Sequence, residues 1–123
     1  MTEIANPNGR TEIDVLSRAP LVVVLGGQGF GLRPRTIKSN RAWQVSVQSK
    51  LGAKFAGLEG VEGVEDFYTY FAGSGDVLTD LVIEYDETAV LPDREWIEDH
   101  ATDHEMLEAF MVLLEQAFPF FEL

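Results

Sequence analysis

The stretch Leu21-Val22-Val23-Val24-Leu25, followed by Gly26-Gly27-Gln28-Gly29, limits what this chain can fold into more than any other segment. A short β-branched run closed by glycines reads as a strand and a tight turn, with a second strand through Phe30 and Leu32. No other segment carries a convincing strand pattern. A lone hairpin is marginal in water, so its apolar side must lie against a helix or pair with a second copy, and an open strand edge is implied.

The remainder reads as helices. Pro34 stops the second strand, and Ser39 or Asn40 can cap a helix over 39–56, with Trp43, Val47, Leu51 and Phe55 on one face and Arg41, Lys50 and Lys54 on the other. Gly57, Gly60 and Gly63 mark a flexible connection, after which Val64, Phe67, Tyr68 and Phe71 predict a helix over 62–72. Past Gly73-Ser74-Gly75, the spacing of Val77, Leu78, Leu81, Val82 and Tyr85 predicts a helix over 75–86, with a strand at Val82-Ile83 as the lesser alternative. Pro92, favoured in a first helical turn, opens a short helix over 92–100. Thr102-Asp103-His104-Glu105 has the capping-box form and starts a helix over 103–118, its stripe running through Met106 or Leu107, Phe110, Met111, Leu114 and Phe118, with Glu108 and Glu115 on the wetter side. The expected fold class is α+β: a mainly helical small domain over 21–123 with one N-terminal β-hairpin (21–33), preceded by a loose arm at 1–20.

Charge narrows the function classes. Nine basic against 21 acidic residues give −12 over 123 residues, so the protein should be repelled by nucleic acid and anionic lipid. Residues 1–54 carry eight basic and three acidic side chains, or +5, whereas 55–123 carry Arg94 and eighteen acids, or −17. That asymmetry suits a basic partner, a head-to-tail contact between copies, or solubility. No window approaches the roughly 18 consecutive apolar residues of a membrane span, and the polar start from Met1 to Arg10 does not read as a signal sequence. With no cysteine to indicate an oxidising compartment, a cytosolic setting is expected.

Most candidate chemistry fails on its own criteria. Gly26-Gly27-Gln28-Gly29-Phe30-Gly31 invites comparison with phosphate loops, but Leu32 and Pro34 stand where a third glycine would, no helix opens directly, and no Gly-Lys-Ser/Thr follows. His100 and His104, with Asp99 and Asp103, have metal-ligand spacing only if one helix carries both, and a Thr102 cap would put a bend between them. The serines lack a Gly-x-Ser-x-Gly setting. No catalytic, cofactor or metal site is expected, and the reading is a binding protein rather than an enzyme. Its candidate partner-binding residues are Phe110, Leu114, Phe118, Phe120 and Phe121 along the C-terminal helix and its aromatic tail, together with Trp96.

Three segments resemble the tail assembly chaperones of long-tailed bacteriophages: Val22 through Pro34 with Arg41-Ala42-Trp43; Tyr85-Asp86 followed by Leu91-Pro92-Asp93-Arg94-Glu95-Trp96-Ile97-Glu98; and Ala101-Thr102 with Leu107-Glu108-Ala109-Phe110 and Ala117-Phe118-Pro119-Phe120. The resemblance implies a non-enzymatic role in the host cytoplasm. Copies would bind the tape measure protein, keep it soluble, help recruit tail tube subunits, and leave before the virion is mature. The open hairpin edge allows a homo-oligomer, and the charge and composition predict no direct contact with nucleic acid or membrane. Two other classes fit the composition: an acidic DNA mimic that inhibits a nucleic-acid enzyme, and a structural head or tail joining protein. A mimic requires carboxylates spread over an exposed face, whereas a chaperone requires apolar grooves between helices.

Overall fold

The structure, a computed structural model, describes residues 19–119; the expected arm through residue 18 and the tail from Phe120 lie outside them. Strands β1 (Leu21–Leu25) and β2 (Gln28–Leu32) pair antiparallel, with Leu21 opposite Leu32 and Leu25 opposite Gln28. Gly26 and Gly27 have φ of 61° and 74°, as a two-residue type I′ turn requires at both positions. Leu21, Val23 and Leu25 are buried while Val22 and Val24 face outward, the period-2 pattern of a strand covered on one side.

Six α-helices follow among the described residues: α1 (Ile37–Leu51), α2 (Ala53–Ala56), α3 (Gly63–Tyr70), α4 (Gly75–Tyr85), α5 (Arg94–His100) and α6 (Asp103–Ala117), with a 3-10 turn at Gly57–Gly60 between α2 and α3. The chain is thus an α+β, mainly helical small domain with an N-terminal hairpin.

Several boundaries differ from the sequence expectation, each for a local reason. Helix α1 begins two residues early because Thr36 is its cap, its hydroxyl accepting from the Ser39 N–H at 3.3 Å. It ends at Gly52, whose φ of 55° breaks the expected continuous helix over 39–56 in two. Pro92 precedes α5 instead of opening it: Asp93 caps the helix by accepting from the Trp96 N–H at 2.9 Å. The segment Val82-Ile83 is helical. The Thr102–Glu105 capping box forms reciprocally, each side chain accepting from the other residue's backbone N–H.

Helix α6 is the central element, packing against α4 and β1. Phe110 sits fully buried at its midpoint, with its ring 5.6–6.3 Å from those of Phe71, Phe67 and Trp43. Trp43 is also fully buried; its indole N–H donates to the Leu81 carbonyl at 2.9 Å and its ring meets Tyr85 edge-on at 5.0 Å, which joins α1 to α4. Arg35 closes that corner. Its guanidinium donates to the carbonyls of Ser39 (2.9 Å), Glu84 (2.8 Å) and Tyr85 (3.3 Å), so one side chain, 9% exposed, satisfies free carbonyls at the end of α4.

Candidate functional site

The six residues expected to bind a partner are not brought together. Phe110 and Leu114 are both 0% exposed, a correction to their expected contact role: the α6 stripe that carries them faces Trp43, Phe67 and Phe71 of the same chain. Phe118 is half-buried against Phe55, ring centroids 5.4 Å apart, at the end of α6. Trp96 lies by the opposite end of α6, stacked on His100 at 4.4 Å and edge-on to Phe30 at 6.3 Å. Phe120 and Phe121 lie outside the described residues.

The glycine-rich turn does hold an anion, but one from its own chain. The Gly26 and Gly27 N–H groups donate to the two carboxylate oxygens of Glu105 at 3.0 and 2.9 Å, while Glu105 also accepts from the Thr102 N–H at 2.9 Å. These bonds, the Thr102 N–H first and then the glycine N–H groups, hold the Glu105 carboxyl below the usual glutamate range. The turn is packed as well as bonded: a Cβ on Gly26 would stand 2.9 Å from Trp96 Cη2 and 3.0 Å from His100 Cβ. Backbone N–H groups that cradle phosphate in other folds are here occupied by Glu105, which seats the hairpin on the start of α6.

His100 ends α5, its Nδ1 2.8 Å from the Trp96 carbonyl, and His104 starts α6 with Nε2 2.9 Å from Glu108. They belong to different helices, and no cluster of three or more His, Asp or Glu side chains is placed to hold a metal among the described residues. Arg94 sits among acids, bonded to Asp80 and, at 3.0 Å, to Glu98, which raises its already high pKa. Along the wetter side of α6, Glu115 departs from expectation: its Oε1 is buried without a partner, and burial pushes its carboxyl up.

An open apolar surface lies where no candidate residue pointed. The turn bound at Glu105 makes β1 run back along α6, and helix α3 lies on the other side of α6. Between them is a groove of about 360 Å³, walled by Val22, Val23 and Val24 on one side and by Val64 and Tyr68 on the other, and floored by Glu108, Ala109, Met111 and Val112. Val22 and Val24 are 58% and 44% exposed, large apolar side chains left in solvent at its lip. The Tyr68 hydroxyl donates to Glu108 at 3.1 Å, and burial, aided by that carboxylate, pushes the phenol up to about 12. Tyr68 therefore stays protonated at any physiological pH and serves as a donor and an apolar wall. The groove suits contact rather than proton transfer, because nothing on its lining combines a free base with a nucleophile.

The hairpin's implied open edge was the one sequence signal for this groove; its second wall, about forty residues away on α3, left none. A second hollow, about 410 Å³, lies between the α3–α4 connection and α6, where Phe71, Leu78, Met106 and Leu107 are rimmed by Asp76 and Asp103. Among the described residues no helix is long and apolar enough to cross a membrane. No protein-family model matches the chain, and no curated protein and no solved structure matches it either.

Proposed function

We propose that this protein is a tail assembly chaperone of the long-tailed phage type, which binds apolar segments of a tape measure protein, keeps them soluble and helps recruit tail tube subunits. The observation that carries the reading is the apolar groove between β1 and α3, open to solvent and edged by Glu108, on a chain of net charge −12. An apolar contact surface binds a partner that is not yet enclosed, and excess charge keeps the complex dispersed. The role requires no catalytic group.

The test is co-expression with the protein encoded by the next long open reading frame, followed by size-exclusion chromatography with light scattering across a salt series. The expected result is that an otherwise insoluble product becomes a soluble complex that survives high salt, because apolar contacts are not screened. Failure to rescue it overturns the reading. A complex with a DNA-handling enzyme that dissolves as salt rises would instead favour a charge-mimic role.

A further inference from the structure

The groove has the form of an unfilled strand position. In a hairpin closed by a two-residue type I′ turn, the residues flanking the turn form a hydrogen-bonded pair, and such pairs alternate along the ladder. Leu25 opposite Gln28, Val23 opposite Phe30 and Leu21 opposite Leu32 are therefore the bonded pairs. The N–H and C=O groups of Val22 and Val24 point the other way, out of the free edge of β1. Among the described residues neither valine makes a backbone hydrogen bond outside the hairpin. Three consecutive residues, Val22, Val23 and Val24, line the same groove although their side chains alternate in direction, so it is the strand edge that forms this wall.

From this geometry we infer that the groove takes an extended apolar segment of a partner protein, which adds to β1 as a third strand with basic residues at its ends. Hydrogen bonds come from Val22 and Val24, and apolar contact from Val64, Tyr68, Met111 and Val112. The open strand edge favours an extended occupant over a helix, because only an extended backbone presents N–H and C=O groups at the spacing of those of Val22 and Val24. Charge sets the flanks: Glu108 lines the groove, Glu65 stands exposed beside Val64, and residues 55–123 carry −17. A second copy meeting the groove with its own acidic half is disfavoured by the same charge. The inference rests on the proposed chaperone role for its setting and adds the conformation of the segment that is bound.

The experiment is amide hydrogen exchange by NMR on the full chain, alone and with the synthetic peptide Lys-Lys-Val-Thr-Val-Tyr-Val-Lys-Lys at millimolar concentration. The control is the same peptide N-methylated at alternate positions to remove its strand-forming N–H groups. Because that change is made in the peptide, folding of the protein is untouched. The expected result is exchange slowed by about tenfold or more at Val22 and Val24, with Val23 and Leu25, already paired to β2, unchanged, and with no effect from the methylated peptide. Exchanging the flanking lysines for glutamates should weaken binding by about tenfold at low salt. Absence of binding, binding without protection at Val22 and Val24, or equal binding of the methylated peptide would each overturn the inference. So would protection already present in the free protein, which would mean that the edge is covered by the chain's own N-terminal residues or by a second copy. A rescued co-expression complex whose Val22 and Val24 amides still exchange freely removes the strand slot and leaves the chaperone role standing. Protection by the peptide without rescue does the reverse.

Discussion

Two helix ends in this molecule are closed by a charged side chain that also ties down a distant segment, and they differ in what surrounds the charge. At the start of α6, Glu105 accepts from Thr102 and from two glycine N–H groups of the hairpin turn, in a half-open setting. At the end of α4, Arg35 donates to the carbonyls of Glu84 and Tyr85, and to that of Ser39 in the first turn of α1, while its guanidinium lies 5.5 Å from the centre of the Tyr85 ring, almost sealed from water. Both charges have the sign the helix dipole favours at that end. Only at the sealed corner does removing the charged group leave polar atoms with no water to replace it, so the two ends should differ in cost although they look alike in the number of bonds.

The widest separation is expected from Arg35→Ala, which strands the Glu84 and Tyr85 carbonyls at the end of α4 and should cost about 3 kcal/mol in urea denaturation followed by tryptophan fluorescence. Arg35→Lys should recover less than half of that, since one ammonium cannot span the three acceptors. A loss equal to that at Glu105 would break the comparison.

At the hairpin end, Gly26→Ala should cost about 2 kcal/mol, because its Cβ collides with Trp96 and His100 at a φ of 61°. Gly27→Ala, with nothing within 4 Å of its Cβ, should cost only the left-handed backbone penalty of about 1 kcal/mol.

Glu105→Gln should cost about 1 kcal/mol at neutral pH, since its amide would point a donor at one of the N–H groups now bound. Because the folded-state pKa of Glu105 is lowered, the stability it contributes is present above the ordinary value of 4.5 and is lost as pH falls through the lowered one; wild type and variant should therefore converge in acid.

The smallest effect should have the opposite sign. The Glu115 carboxyl is raised by burial, so its penalty sets in as pH rises above 4.5 and is complete above its folded value. Glu115→Gln should stabilise the protein by a few tenths of a kcal/mol at neutral pH and not at all in acid, read from paired denaturation curves.

How much of this was legible depended on how far apart the partners lie. The hairpin and the Thr102–Glu105 box are written within a few residues, and their patterns predict them. The bonds from Glu105 to the turn span 78 and 79 residues, and those from Arg35 to α4 about fifty, so no local pattern carries either. Phe110 and Leu114 show the converse: helical spacing identifies an apolar stripe but not whether the same chain or another covers it. Asp93, and not Pro92, sets the start of α5 because a carboxylate that reaches the Trp96 N–H fixes the helix start more strongly than a proline that merely tolerates it.

The carboxylate bridge between the turn and α6 also bears on how the molecule opens. A hairpin of five-residue strands would ordinarily fray by itself, but here lifting the turn requires releasing the carboxylate whose Oε1 also closes the first turn of α6. The two should therefore melt as one cooperative unit, with the Gly26 and Gly27 amides exchanging at the rate set by the helix they touch rather than by the loop they belong to.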